Sequence, residues 1–407
     1  MINMRTELAI AGVVLALSLA GCGGGGGGGS SSSSPPSPPA PPQNVQAISV
    51  DAGPANFANL AFTSVTVCAP GSTTNCQTID HIQVDTGSSG LRLISSVLSP
   101  ALSLKQQTDA NGNPMVECAQ FADGFSWGPV KMADIRIAGE AANSVPVQVI
   151  GDPAFTTVPP ACSSAGPPEN TVQDFGANGL LGVGLFLQDC GNACAQTAFP
   201  GGYYICPPAG CAPVTVPVAQ QLQNPVAMFS SDNNGVVISL PAVPAAGQAT
   251  AAGSLIFGIG TQANNALGGA TVLTTDPNTG YVTTLFNGVT YTTSYIDAGS
   301  SLYFIGTNLY PICGGVASGF YCPPTTQNLA ATIQGTNGNK IATNFSIANA
   351  MQLFTANPSF FAFNNLAAPA GDPTTFAWGL TLFYGKNVFT AIEGRATPSG
   401  NGPYVAF

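Results

Sequence analysis

Apolar and polar positions alternate in short runs along most of this chain, and Gly, Pro and Asn-Gly break the runs apart. Residues 64–68, 78–84, 134–137, 145–150, 236–240, 255–259 and 281–284 are such runs, rich in Val, Ile, Thr and Phe. Alternation of period two buries one face of an extended segment, and β-branched side chains fit a pleated surface, so each run predicts a strand. Helical patterning is confined to residues 216–222 and 349–354. An all-β body is therefore predicted. Residues 109–113 (Asp-Ala-Asn-Gly-Asn) superficially match a calcium loop, but the glycine is misplaced and no acid closes the loop. Asn111-Gly112 predicts a hairpin turn instead.

The first residues are patterned differently. Arg5 precedes an apolar segment, residues 8–19, which is too short to span a bilayer and has the length of an export signal. It ends in Leu19-Ala20-Gly21-Cys22, the pattern of a bacterial lipoprotein cleavage site. The expectation is a signal peptide over residues 1–21, with Cys22 acylated as the lipid attachment and membrane anchor. A secretory signal with a stray cysteine is the plainer alternative. Gly23, rather than aspartate, after the cysteine points to the outer membrane. The Gly, Ser and Pro runs that follow cannot pack a core, so residues 22–45 are read as a tether from which the folded body hangs.

Composition narrows the class. Only 6% of the 407 residues are charged and the formal net charge is -10, a balance that repels phosphate backbones and excludes a nucleic-acid partner. Of 11 cysteines, setting aside Cys22 leaves an even number in an exported chain. Close spacing pairs Cys68 with Cys76, Cys190 with Cys194, Cys206 with Cys211 and Cys313 with Cys322, leaving Cys118 for Cys162. Zinc is the rival reading, but CxxC spacing is absent and the chain has a single histidine. No metal and no cofactor are expected.

Two strings carry the chemistry. Val84-Asp85-Thr86-Gly87-Ser88-Ser89-Gly90 and Ile296-Asp297-Ala298-Gly299-Ser300-Ser301 each place an aspartate at the end of an apolar strand, before a small residue, a glycine and two serines. Each is followed at a similar interval by an apolar-plus-glycine segment, Gly179–Gly184 in the first case and Trp378-Gly379-Leu380 in the second. Similar order in both halves predicts duplicated lobes, residues 46–228 and 229–407. Two such carboxylates brought face to face cannot both ionise, and one proton is shared. The ionised partner can then deprotonate a water while the protonated one polarises a carbonyl. Asp51-Ala52-Gly53 also reads D-x-G but lacks the serines and the apolar-glycine partner, so a turn is expected there.

With DTGSSG at Asp85, DAGSS at Asp297, GLLGVG at Gly179 and GSLIFGIG at Gly253, the chain resembles the pepsin-like aspartic peptidases over most of residues 60–407. The continuation GLRL is nearest to a group of bacterial lipoproteins within that superfamily. The resemblance implies a bilobal acid-protease fold with a cleft between the lobes, and a monomeric endopeptidase acting on a peptide or protein substrate. Asp85 and Asp297 would be the catalytic pair. Ser88 and Ser300 would bond their outer oxygens, Thr86 would supply half of a grip between the lobes, and Gly87 and Gly299 would let the loops approach.

The sequence departs from that family in three places. Ala298 stands where a hydroxyl residue is usual, removing the other half of the grip. No tyrosine occupies the expected flap; Phe121 is nearest in register, with Phe125 and Trp127 close by. Arg92 replaces a customary tryptophan, and either stacks on a flap aromatic or lies solvated at the surface. These departures leave room for a degraded, catalytically weak binding module that grips a protein or glycan, or for a passive envelope protein. A serine hydrolase would have to use His81, expected on an edge strand and on the same face as Asp85, and no GxSxG motif exists to receive it.

Overall fold

The computed structural model describes residues 43–407; the expected signal peptide, Cys22 and most of the tether lie outside the described residues. The chain is all-β, with a β-barrel and a half-barrel. One sheet has 16 strands and a second has seven. Among the described residues no helix is long and apolar enough to cross a membrane.

Each predicted run lies on or overlaps a strand, because its alternation matches the buried face it presents. Of the two helical patterns, only the second forms an α-helix, Ala350–Ala356, where the Asn349 side chain accepts from Gln352 N. The first shrinks to a 3-10 turn, Val218–Gln220, bounded by Pro217 and Gln221. The strand Val45–Val50 begins inside the expected tether and pairs antiparallel with Ala251–Phe257. Asn44 before it is buried, and its Nδ2 donates to Phe257 O at 2.9 Å. The large sheet is thereby continuous from the first strand to the last.

The aspartate repeats are built alike. The strand Cys76–Asp85 lies parallel to Gly179–Val183, with Asp85 opposite Gly182, and the chain returns antiparallel as Ser89–Ile94 on the other side of that strand. In the second half Val289–Ile296 lies parallel to Phe376–Trp378, and Tyr303–Ile305 returns antiparallel on its far side. The glycines of the two apolar segments have the same reason to exist. A Cβ at Gly184 would lie 2.7 Å from the carbonyl oxygens of Thr86 and Ser88, and one at Gly379 would lie 2.5 Å from Ser300 O. Each segment also supplies the serine's carbonyl with a donor, Gly184 N to Ser88 O at 2.8 Å and Leu380 N to Ser300 O at 2.7 Å. Beneath the second repeat, Trp378 stacks on Phe376 at 4.4 Å and meets Tyr303 and Phe345 edge-on. Burial of such rings contributes roughly 1.5–3 kcal/mol each.

All five cysteine pairs form as the spacing predicts. Asn111-Gly112 turns the hairpin, with Asp109 Oδ1 accepting from the N–H groups of Asn111 and Asn113 at 2.8 Å. The expectation for His81 is corrected. Its strand is not an edge, since it pairs on both sides, and His81 sits at a bulge with φ 47°. The extra residue sits between Ile79 and Ile82, and the His81 ring meets Phe62, which stands opposite Gln83, edge-on at 5.3 Å, so His81 stays on the face of Asp85 but is turned toward Phe62. It contacts the carboxylates of Asp80 (3.2 Å) and Asp51 (3.6 Å) instead.

Candidate active site

Asp85 and Asp297 are both wholly buried, and their carboxyls share a hydrogen bond. Each strand ends by turning its own backbone back onto its aspartate: Gly87 N donates to Asp85 Oδ1, and Gly299 N to Asp297 Oδ1, both at 2.7 Å. The outer oxygens take the serines. Ser88 Oγ makes a short bond to Asp85 Oδ2, while Ser300 donates to Asp297 Oδ2 through Oγ at 2.9 Å and N at 3.1 Å. The glycines interlock across the pair. A Cβ at Gly87 would stand 2.7 Å from Asp297 Cγ, and one at Gly299 2.4 Å from Asp85 Oδ1.

Burial, then the Asp297 charge and its hydrogen bond, push the Asp85 carboxyl well above the usual carboxylate range, against the lowering effect of Ser88 and Gly87. The pair therefore carries a proton on Asp85 at pH values where a solvated carboxyl has lost it.

Two ties join the loops. Ala298 N donates to Thr86 Oγ1 at 2.9 Å, and with no hydroxyl on Ala298 this side-chain grip is one-sided. Gln83 Nε2 donates to Gly299 O at 2.9 Å, a second cross-connection between the halves of the chain. Asp51 shows the same local turn without the site: its Oδ1 accepts from Gly53 N at 2.8 Å, and it faces His81 rather than a second carboxyl.

Asp297, with Thr86, Gly87 and Ser88 of the turn that follows Asp85, lines a cavity of about 480 Å³. Phe121 lines it from the tip of a hairpin closed by Phe121 N to Gly124 O at 2.8 Å, and packs edge-on against Phe175. Phe125 and Trp127, the other flap candidates, do not line the cavity. Both are buried in a cluster with Cys118, Cys162 and Tyr204, and Trp127 Nε1 is tied to Phe155 O at 2.9 Å. The Cys118–Cys162 bridge holds the loop before Glu169 over the face that carries Phe125 and Trp127, while Glu117, Cys118, Ala119, Gln120 and Phe121 of the same hairpin line the cavity.

Arg92 corrects both expectations made for it. It is buried, and Nη2 bonds Glu117 Oε1 at 2.5 Å and Asp189 Oδ2 at 3.4 Å, with Nη1 on Ser89 O. Neither a flap aromatic nor solvent holds it. Glu117 lies on the hairpin strand Met115–Gln120 and Asp189 in the loop after Gly179–Val183, so this ionic cluster ties the hairpin and the loop to the strand that carries Arg92.

Sequence reasoning missed Gln83, Glu117, Asp189 and Tyr295. For two of them a signal exists: Gln83 and Tyr295 each stand two residues before an aspartate, where alternation puts them on the aspartate's face. Tyr295 lines the cavity, stacks on Tyr281 at 6.3 Å and hydrogen-bonds Ser300, with burial and then the Asp297 charge raising its pKa. Nothing local marks Glu117 or Asp189, whose meaning comes from Arg92.

The family model described as "Protein of unknown function (DUF3443)" matches residues 40–407. No curated protein matches the chain.

Proposed function

We propose, for a chain that belongs to the DUF3443 family, that it is an aspartic endopeptidase of pepsin-like, bilobal architecture. The observation that carries this reading is the Asp85–Asp297 pair, two buried carboxyls sharing one hydrogen bond and each cradled by a glycine N–H and a serine hydroxyl. A water bound between them loses a proton to Asp297, and its oxygen attacks the peptide carbonyl carbon as Asp85 protonates the carbonyl oxygen. The tetrahedral diol then collapses. Its hydroxyl proton returns to Asp85, the proton on Asp297 passes to the amide nitrogen, and the C–N bond breaks to acid and amine. Ser88, Ser300, Thr86 and Gln83 hold the carboxyls in register through this cycle. Envelope anchoring through Cys22 and action as a monomer belong to the same reading and rest on sequence alone.

A second reading, a pepsin-fold binding module for a protein or glycan, is favoured by the one-sided Thr86 grip and by Phe121, which cannot donate a hydrogen bond from the flap. Peptide cleavage measured from about pH 3 to 7, with and without a pepstatin-type inhibitor, separates the two. The peptidase reading expects acid-favoured cleavage, blocked by the inhibitor and lost in Asp85→Asn and Asp297→Asn. Cleavage indifferent to inhibitor and to both substitutions, or none at all, would sink it.

A further inference from the structure

The hydrolysis just described makes no use of Arg92, Glu117 and Asp189, yet all three line the same cavity. Two carboxyls there face one guanidinium. Asp189 is well supplied with donors, since the Tyr203 hydroxyl lies 2.8 Å from both its oxygens and Arg92 Nη2 lies 3.4 Å from Oδ2. Glu117 is not. Oε1 takes Arg92 at 2.5 Å, while Oε2 is buried and has no hydrogen-bond donor among the described residues, in a residue only 2% exposed. A buried carboxylate oxygen left bare is costly, and natural sites supply it with a partner.

The groups facing Glu117 leave one charge uncompensated. They are Arg92, Asp189, and Tyr203, whose strand Tyr203–Ile205 pairs with Met115–Gln120 so that Tyr203 stands opposite Glu117. Burial, then the Glu117 charge, raise the Asp189 pKa well above the usual carboxylate range, so without a further cation a proton on Asp189 balances the cluster. Around it the cavity wall is apolar, with Leu185, Phe186 and Phe199 able to pack an aliphatic stem.

We infer that this cluster is a subsite for a basic side chain of the peptide substrate, a Lys or Arg whose N–H groups bond Glu117 Oε2. The inference rests on the peptidase reading for its ligand class. The incoming side chain brings one positive charge, and the proton on Asp189 leaves to solvent, so the cluster stays balanced.

The test uses the full chain carrying Asp85→Asn, so that binding is read without turnover. Calorimetric titration compares Ser/Ala peptides bearing a single Lys or a single Met stepped along the sequence. In the favoured position the Lys peptide is expected to bind about tenfold tighter than its Met counterpart, the strength of a charge-assisted hydrogen bond. Its heat is expected to vary with buffer ionisation enthalpy, as proton release requires. Adding Glu117→Gln abolishes both signatures, and should that variant not fold, Asp189→Asn removes the proton release. Equal affinity for Lys and Met peptides at every position, or a Lys preference that survives Glu117→Gln, overturns the subsite. Its failure is separable from that of the peptidase reading. Lys-selective binding with proton release, in a chain whose unsubstituted form cleaves nothing, upholds the subsite and removes the peptidase. Cleavage without Lys preference does the reverse.

Discussion

Gly299→Ala asks whether the interlock of the two loops is where the chemistry happens. Gly299 does not have a left-handed backbone, so alanine brings no conformational strain, and its N–H can still reach Asp297. The added methyl carbon, however, lands 2.4 Å from Asp85 Oδ1 and 2.7 Å from Asp85 Cγ. Ordinary contact begins near 3.4 Å, so the Asp85 carboxyl must retreat by about 1 Å. It has no free direction, because Gly87 N and Ser88 Oγ hold its two oxygens from behind. The shared bond to Asp297 is what gives way. A displacement of that size in a reacting group costs about a hundredfold in rate, and overpacking costs about 1–3 kcal/mol of stability. The assay is kcat/KM on a peptide substrate at acid pH, with thermal unfolding to show that the variant is folded. Gly269→Ala is the control, since a methyl there meets nothing within 4 Å. If folded Gly299→Ala cleaves as fast as that control, hydrolysis does not depend on the Asp85–Asp297 contact and the reasoning fails.

Further outcomes follow from the same geometry. Because the Asp85 pKa is raised, the native protein holds a proton that the unfolded chain has released above its ordinary 3.8; stability falls as pH rises from there to the folded-state value. Asp85→Asn should flatten that fall and be the more stable form at neutral pH, which denaturant titrations across pH will show; an unchanged slope refutes the shared proton. Arg92→Ala strands two buried carboxyls and should cost about 3–5 kcal/mol, with partial recovery on adding Glu117→Gln; a loss no larger than at an exposed arginine would restore the solvated reading. Removing the Cys118–Cys162 bridge, which closes a 44-residue separation, should cost about 4 kcal/mol, against about 2 kcal/mol for Cys190–Cys194 with a separation of 4, if loop entropy governs. Melting of the two double-serine variants compares them.

What the sequence by itself determined is local. The strands, the Asn111-Gly112 hairpin, the Asx-type turns at Asp85 and Asp297 and four short-range cysteine pairs each follow from residues a few positions apart, where alternation, glycine freedom and a side-chain acceptor decide the conformation. The repeat of aspartate string and apolar-glycine segment was legible for the same reason, as each glycine answers to a carbonyl of a neighbouring turn. Tertiary structure decided the rest. Which acids surround Arg92, 25 and 97 residues away, depends on how a hairpin and a loop pack over its strand. A bulge of one residue set His81 between Asp51 and Asp80, and a disulfide-held loop buried Phe125 and Trp127 while leaving Phe121 in the cavity. The Gln83–Gly299 tie spans 216 residues. Such pairings have no local signature, because their energy comes from surfaces that meet only after the sheets have closed, when burial leaves each polar group to find the partner that packing happens to supply.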